Sequence, residues 1–417
     1  MKAESLNSLE KGIRFIGIGK HGSKDLPVSL VSDLLVDLQS GDFNPIQQGA
    51  FFGALVTKGV APHEYSLENY LGSEVLSNAE RLFDRICEEA PAEMKLIGVK
   101  LLQGACLSET EARQLGNFIL SDQPGEVLRG MAVSILRVRY ESDEEYHGLM
   151  LAINDTFTAG FRQPVVAHAP LIQLAEPFDG VEHSYIITPI LANALQKLGY
   201  AAVSTVGRSS GPKLTMNAWQ LYQSLAGKFI KSNEALKSPP PPLGWVLDQK
   251  DLSPALDRWV DRRRAVIKRP FLATLEKALN PTGAKVLITS VFHLTYMEKM
   301  VELGMMAGFE GVIVLKRGLE GTLAPSIARA SGILCAARQP DGTWTSTRIE
   351  ADSSEFSQFR AEADAIIENP DVQENARLVQ QFLEDGLTGN RDFDLRAGLA
   401  VGLYSRGLLW IEGVWQS

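Results

Sequence analysis

The segment AEPFDGVEHSYIITPILANALQKLGYAAVSTVGRSS (175–210) gathers side chains suited to holding an anion. It runs from a turn with an acid, Asp179, through Thr188 at a helix start, to a strand ending in Gly207-Arg208-Ser209-Ser210. Thr188 suits a helix cap and Pro189 the first helical position. The unpaired N–H groups of a helix N-terminus favour phosphate, and Arg208, Ser209, Ser210 and Lys213 add positive charge and hydroxyl donors. The alternative is a capping Thr without a ligand. A second cationic stretch, DLSPALDRWVDRRRAVIKRP, carries Arg258, Arg262, Arg263, Arg264, Lys268 and Arg269 against only Asp257 and Asp261. It reads either as a solvated helix face paired internally or as a contact for phosphate or nucleic acid.

Other patterns carry less chemistry. Gly17-Ile18-Gly19-Lys20-His21-Gly22 matches GxGxxG, but a dinucleotide site needs that turn inside a βαβ unit. The sequence around it is helical, so a flexible loop is expected. Gly22-Ser23-Lys24 is not the GK[ST] order of a phosphate loop. No Ser/His/Asp or Cys/His set is evident, and His168 and His183 read as structural histidines. Cys87, Cys106 and Cys335 lie far apart, which argues against a disulfide framework and a Cys-rich zinc site.

The elements that must position these residues change character along the chain. The 417 residues are 45% hydrophobic and 22% charged, a globular composition rather than a disordered one. The net charge of −9 disfavours general nucleic-acid binding but leaves room for a local basic patch. No apolar run reaches the ~18 residues of a membrane span. MKAESLNSLEKGIRF has acids and no apolar core of signal-peptide length, so a cytoplasmic protein is expected.

Up to about 160 the pattern is helical, with Val31, Leu34, Leu35 and Leu38, then Ala112, Leu115, Phe118 and Ile119, at helical spacing. Residues 26–65 align without a gap on 107–146, at an offset of 81. Leu26/Leu107, Leu34/Leu115, Ser40/Ser121, Gly49/Gly130, Leu55/Leu136, Glu64/Glu145 and Tyr65/Tyr146 are identical pairs. Each copy reads helix, loop, helix, loop. A duplicated hairpin has an apolar face to bury, on its other copy or in a dimer.

From about 165, buried-strand patterns at 165–169, 200–205, 285–291 and 311–316 alternate with helical ones at 188–199 and 294–308. That alternation predicts a mostly parallel sheet with helices on its faces. KSPPPPLG (237–244) reads as a stiff connector. TWTSTRIEA (343–351) is β-like, and the stretch from about 356 to 386 is helical.

On the segment 175–210 and three further stretches, the chain resembles the anthranilate phosphoribosyltransferases, within the wider glycosyltransferase family 3 and pyrimidine nucleoside phosphorylase fold. The resemblance covers about 95–417. The family's GTGGD turn and following NxST hold the pyrophosphate of phosphoribosyl pyrophosphate, where glycine lets backbone N–H groups reach the phosphates. Here Asp179, Gly180 and Thr188 are kept, while Glu176, Pro177, Phe178, Tyr185 and Ile187 replace the rest. The family's KHGN-R becomes Ser204-Thr205-Val206-Gly207-Arg208, with Arg208 retained. Its R-T-x-F-N-L-L-G-P-L-x-N-P, whose Arg faces the acceptor carboxylate, is matched by Arg269, Asn280 and Pro281. Its Asp-Glu pair for magnesium is reduced to Glu320 in Gly318-Leu319-Glu320-Gly321.

The resemblance implies an α/β fold in three parts: an extra helical repeat at 1–90, a family-type helical domain at 91–164, and an α/β phosphoribosyltransferase-like domain at 165–417. It implies a transferase of tryptophan biosynthesis that moves phosphoribosyl from phosphoribosyl pyrophosphate to an aromatic acceptor. Substrate would be held by Asp179, Gly180, Thr188, Arg208, Ser209, Ser210 and Arg269, with Mg2+ at Glu320 and a homodimer through the helical domain. The alternative on the same fold is a binding protein without the reaction, taking a phosphorylated ligand or nucleic acid through Arg262, Arg263, Arg264 and Lys268.

Overall fold

A computed structural model describes residues 7–19, 22–329 and 331–417. Residues 1–6 of the N-terminal stretch, and Lys20 and His21 of the glycine-rich loop, lie outside the described residues. The chain divides into two compact units, Met1–Asp155 with Arg258–Ala273, and Thr156–Asp257 with Thr274–Ser417.

The first unit is helical, and the duplication organises it. Helices Val28–Ser40 and Pro45–Lys58 correspond to Glu109–Leu120 and Glu126–Arg139. The second helices of the two copies cross at Gly49 and Gly130. A Cβ on Gly49 would lie 1.8 Å from the Val127 carbonyl oxygen, and one on Gly130 would lie 2.0 Å from that of Ile46. Ile46 and Val127 are themselves 81 positions apart, so the two close approaches are equivalent and the crossing has an approximate two-fold relation.

A buried acid repeats with the same symmetry. Glu64 accepts from Leu26 N at 2.8 Å, Ala61 N at 2.7 Å and Lys58 Nζ at 2.8 Å. Glu145 accepts from the equivalent residues, Leu107 N at 2.9 Å, Ser142 N at 2.8 Å and Arg139 Nη2 at 2.6 Å. Both glutamates are fully buried. Removing one would leave two buried N–H groups without their acceptor and take the buried carboxylate from the neighbouring cation, although Lys58 keeps Asp25 and Gly59 O and Arg139 keeps Tyr140 O. Glu64→Ala and Glu145→Ala are each expected to cost about 3 kcal/mol, read as a shift of the urea midpoint. A loss under about 1 kcal/mol would contradict this reading of the buried pairs. The copies differ at their third element: Asp143–Asp155 is a full helix, whereas the first copy has a 3-10 turn, Pro62–Leu67, and a short helix, Glu68–Leu71, stopped at Gly72 with φ +108°.

The second unit is a mixed α/β structure around one eight-stranded sheet in the order β3-β4-β2-β1-β5-β6-β7-β8. The strands are β1 Leu171–Ala175, β2 Ala201–Val206, β3 Lys228–Phe229, β4 Trp245–Asp248, β5 Val286–Val291, β6 Gly311–Lys316, β7 Gly332–Arg338 and β8 Trp344–Glu350. Pairs from β3 through β6 are parallel, and β6-β7 and β7-β8 are antiparallel. Helices Thr188–Lys197, Met297–Met306, Val372–Asp385 and Arg391–Gln416 supply apolar faces such as Leu191, Leu303, Val379 and Leu403 to its core.

Two expectations need correction. Residues 165–169 are not a strand: prolines at 164 and 170 bracket them, and Val166 is 91% exposed. The strand is the next segment, β1, whose buried Gln173 interrupts the apolar run; its Nε2 donates to Leu279 O at 2.7 Å, while its Oε1 has no partner among the described residues. The helical reading of 356–386 holds only for Val372–Asp385, since 354–359 is a 3-10 turn and 360–371 is irregular. Among the described residues, no helix is long and apolar enough to cross a membrane.

Candidate functional site

In the second unit, β1 has β2 on one side and β5 on the other, so the strand order reverses at β1. In open parallel sheets the crevice at the carboxyl ends of such strands is where ligands bind. The loops after β1, β2 and β6 meet there, and they contain most of the residues singled out from sequence.

The first two loops are tied through main chain. Gly180 has φ +83°, and a Cβ on it would lie 2.2 Å from Met216 O, so only glycine lets the loops meet. Thr215 Oγ1 donates to Asp179 O at 3.1 Å, Ser209 Oγ to Thr215 O at 2.8 Å, and Ser210 N to Phe178 O at 3.3 Å. Asn217 Nδ2 joins Phe178 O and Gly207 O at 2.9 and 2.8 Å. Phe178 is buried against Gly207, where a Cβ would meet its ring at 2.8 Å. The Ser210 hydroxyl is fully buried with no hydrogen-bond partner among the described residues.

The β6 loop joins through Glu320, which sits in the left-handed region at φ +54°. Its Oε1 accepts from His183 N at 2.8 Å and Ser184 Oγ at 2.9 Å, and its Oε2 from Glu182 N at 2.8 Å and Lys213 Nζ at 2.6 Å. Lys213 also donates to Gly180 O at 3.2 Å. Burial pushes the Glu320 carboxyl up, but Lys213 and the two N–H donors outweigh it and hold it below the usual carboxylate range.

This arrangement bears directly on magnesium. Both Glu320 oxygens are engaged, and its charge is balanced by Lys213. Among the described residues, no group of three or more His, Cys, Asp or Glu side chains is placed to hold a metal ion. A magnesium ion, which needs oxygen ligands and retains waters, would have to displace Lys213. The residues at this position do not fit it.

Thr188 is likewise engaged internally. Its hydroxyl donates to Glu176 Oε1, and Leu323 N donates to Oε2 at 3.1 Å. Both side chains are buried. Burial lifts the Glu176 carboxyl to about 7 against the hydrogen bonds from Thr188 and Leu323 and the more distant charge of Lys277. An acid of the chain itself thus occupies the start of helix Thr188–Lys197, where a phosphate was expected. Arg208 forms a two-point pair with Asp257, Nε–Oδ1 at 2.9 Å and Nη2–Oδ2 at 3.1 Å.

Beside the Lys213–Glu320 pair lies a cavity of about 980 Å³. Its lining includes His183, Phe292, His293, Arg317, Arg329 and Ile366. Phe292 and His293 stack edge-to-face at 5.2 Å, and Phe292 is 57% exposed. Neither the Arg317 nor the Arg329 guanidinium has a hydrogen bond or ion pair among the described residues, and both residues are exposed. The cavity therefore offers two available cations and an aromatic surface beside the carboxylates of Glu320, Glu362 and Asp364, of which Glu320 pairs with Lys213 and Asp364 with Arg396. Sequence reading missed all four of these residues and took His183 as structural. The available signal was position: Phe292-His293 and Arg317 directly follow the β5 and β6 patterns.

Arg269 belongs to the other compact unit and is exposed there. The cationic stretch preceding it does not form a continuous basic face, as its internally paired reading has it. Arg262 forms a two-point pair with Glu126 at 3.0 and 2.8 Å, Arg258 pairs with Asp122 at 3.1 Å, and Arg263 is buried.

No family profile matches the chain. An uncharacterised protein of Aquifex aeolicus (strain VF5) is 24% identical over 219 residues, which are 52% of this chain and 65% of that protein. The fold is similar to solved anthranilate phosphoribosyltransferases. The Thermus thermophilus enzyme aligns with a TM-score of 0.57 at 19% identity, covering 76% of this chain and 91% of its own. The Saccharomyces cerevisiae enzyme, described in complex with phosphoribosyl pyrophosphate and magnesium, aligns with a TM-score of 0.52 at 14% identity, covering 78% and 99%.

Proposed function

We propose that this chain binds a phosphorylated small molecule carrying a planar ring, at the cleft beyond the carboxyl ends of β5 and β6, and does so without magnesium. The observation that carries the reading is Lys213 on Glu320, where the resemblance calls for a metal ion. A resident ammonium supplies fixed positive charge, Arg317 and Arg329 supply two available guanidinium groups for phosphate, and Phe292 supplies a face for a ring. The likeness to phosphoribosyltransferases supports phosphoribosyl pyrophosphate as the first ligand to try.

We infer binding rather than phosphoribosyl transfer. That reaction needs the leaving pyrophosphate stabilised by metal and by N–H donors. Pro177 has no N–H, Phe178 is packed inward, Glu176 holds Thr188, and Glu320 is neutralised. No nucleophile–base pair stands among the lining residues named above, so this chain's contribution is to bind and orient.

Calorimetric titration of the full chain with phosphoribosyl pyrophosphate tests the reading. The parent protein is expected to bind, and Arg317→Ala with Arg329→Ala to weaken binding by at least about tenfold. Absence of binding at millimolar ligand would remove the reading. Turnover of anthranilate with phosphoribosyl pyrophosphate would overturn the non-catalytic part of it.

A further inference from the structure

Gly17 and Gly19, which no dinucleotide reading explains, border a cationic cluster in the helical unit that has no ion pair among the described residues. A Cβ on Gly17 would lie 3.5 Å from Lys268 Cγ. One on Gly19, whose φ is +124°, would lie 2.9 Å from the Tyr140 hydroxyl oxygen and 3.5 Å from Arg137 Nη1. Without side chains, Gly17 and Gly19 approach these groups closely. Arg14, in the last turn of helix Ser8–Ile16, belongs to the same cluster, because both its charge and that of Arg137 act on Lys268. Lys268 is half-buried; desolvation first, then these two cations, lower its pKa. None of Arg14, Arg137 and Lys268 has an ion pair or hydrogen bond among the described residues. Glu141, the acid whose field reaches Arg137, accepts from Tyr146 Oη at 2.9 Å, and burial pushes its carboxyl up towards the neutral form.

The duplication supplies an internal control. Position 59 of the first copy corresponds to position 140 of the second. Gly59 has φ +92° and ψ 131°; Tyr140 has φ +69° and ψ 142°. The same chain reversal is made in both copies, with glycine in the first and a strained aromatic residue in the second. Ile267, directly before Lys268, is a β-branched residue at φ +66°. Position 137 corresponds to Val56, so the cation is also specific to the second copy. Favourable interaction with helix C-termini accounts for Arg14 and Arg137 taken singly. It does not account for a desolvated Lys268 between them, nor for strain retained at Tyr140 and Ile267.

We propose that Arg14, Arg137 and Lys268, with the Tyr140 hydroxyl, form an anion site in the helical unit for a small phosphate-bearing molecule. Three neighbouring cations leave a net charge that a phosphate dianion or a pyrophosphate neutralises, and the half-buried Lys268 favours a compact ligand over an extended strand.

The test is calorimetric titration of the full chain with inorganic pyrophosphate, in an Arg317→Ala, Arg329→Ala background that removes the cleft's arginines. Failure here is then separate from failure of the cleft reading. Binding is expected to persist in that background and to weaken about tenfold on Arg137→Gln. Tyr140→Gly is expected to raise the melting temperature of the free protein, because it relieves the left-handed strain, and to weaken pyrophosphate binding. An affinity unchanged by both Arg137→Gln and Arg14→Gln overturns the proposal. So does a Tyr140→Gly protein that melts lower than its parent yet binds as tightly. Tighter binding of a single-stranded oligonucleotide than of pyrophosphate, lost on the same substitutions, would replace the small-molecule assignment.

Discussion

Alanine at Gly130 is expected to destabilise the helical unit by at least about 3 kcal/mol. The added carbon would stand 2.0 Å from Ile46 O, 2.8 Å from Ile46 C and 3.0 Å from Ala50 N. All three are main-chain atoms of helix Pro45–Lys58, so no side chain can rotate away and the helices must separate. Gly49→Ala meets the equivalent atoms of Val127 and Met131, the nearest at 1.8 Å, and is expected to cost as much. The double variant should cost less than the sum, since one separation relieves both clashes. Gly413→Ala is the control. It lies in helix Arg391–Gln416 with nothing within 4 Å of its Cβ position. There alanine should stabilise by roughly 0.5–1 kcal/mol. Urea denaturation reads all four proteins, and a Gly130→Ala protein within about 1 kcal/mol of the parent would contradict the crossing.

The second large effect is on pH dependence. Glu176 is buried with no ion pair among the described residues, and burial raises its carboxyl to about 7 from its ordinary 4.5. Its folded pKa is raised, so between these values the folded protein holds a proton that the unfolded chain has released. Stability is then highest at and below about pH 4.5 as far as this group is concerned. It falls as pH rises to 7, by about 3 kcal/mol in all. Glu176→Gln keeps the shape, can still accept from Leu323 N, and cannot ionise. It is expected to flatten stability between pH 5 and 8 and to be more stable than the parent at pH 8. A parent protein whose stability rises across that window, with Glu176→Gln following the same curve, would show that Glu176 is not held neutral.

Much of this architecture is legible in the sequence, for physical reasons. The β6 segment GVIVLK is apolar up to its final Lys316 because its strand is covered on both faces, and the pattern marks its limits, Gly311–Lys316. The duplication is legible because Gly49/Gly130 and Glu64/Glu145 are fixed by close backbone approach and by buried hydrogen bonding. β1 was obscured by Gln173, whose amide Nε2 finds its acceptor in a carbonyl more than one hundred residues away. β4 was obscured because it follows four prolines.

The site was legible in location more than in chemistry. Asp179, Gly180, Ser209, Ser210 and Glu320 do meet at the carboxyl ends of the strands. Lys213 on Glu320, Glu176 on Thr188 and Asp257 on Arg208 are tertiary pairings between residues 12 to 107 positions apart, and no local spacing encodes them. The Phe292 and Arg317 side chains carry no motif of their own; only the strand ends place them in the cavity.

The ammonium group of Lys213 stands on Glu320, where the resemblance calls for a metal ion. The most direct measurement is the affinity of the full chain for phosphoribosyl pyrophosphate with millimolar magnesium and again with excess chelator, for the parent and for Lys213→Met. The account predicts the same affinity in both conditions for the parent, and a weaker, magnesium-enhanced affinity once Lys213 is gone and Glu320 is exposed to a cation. Parent binding that vanishes with chelator would contradict it.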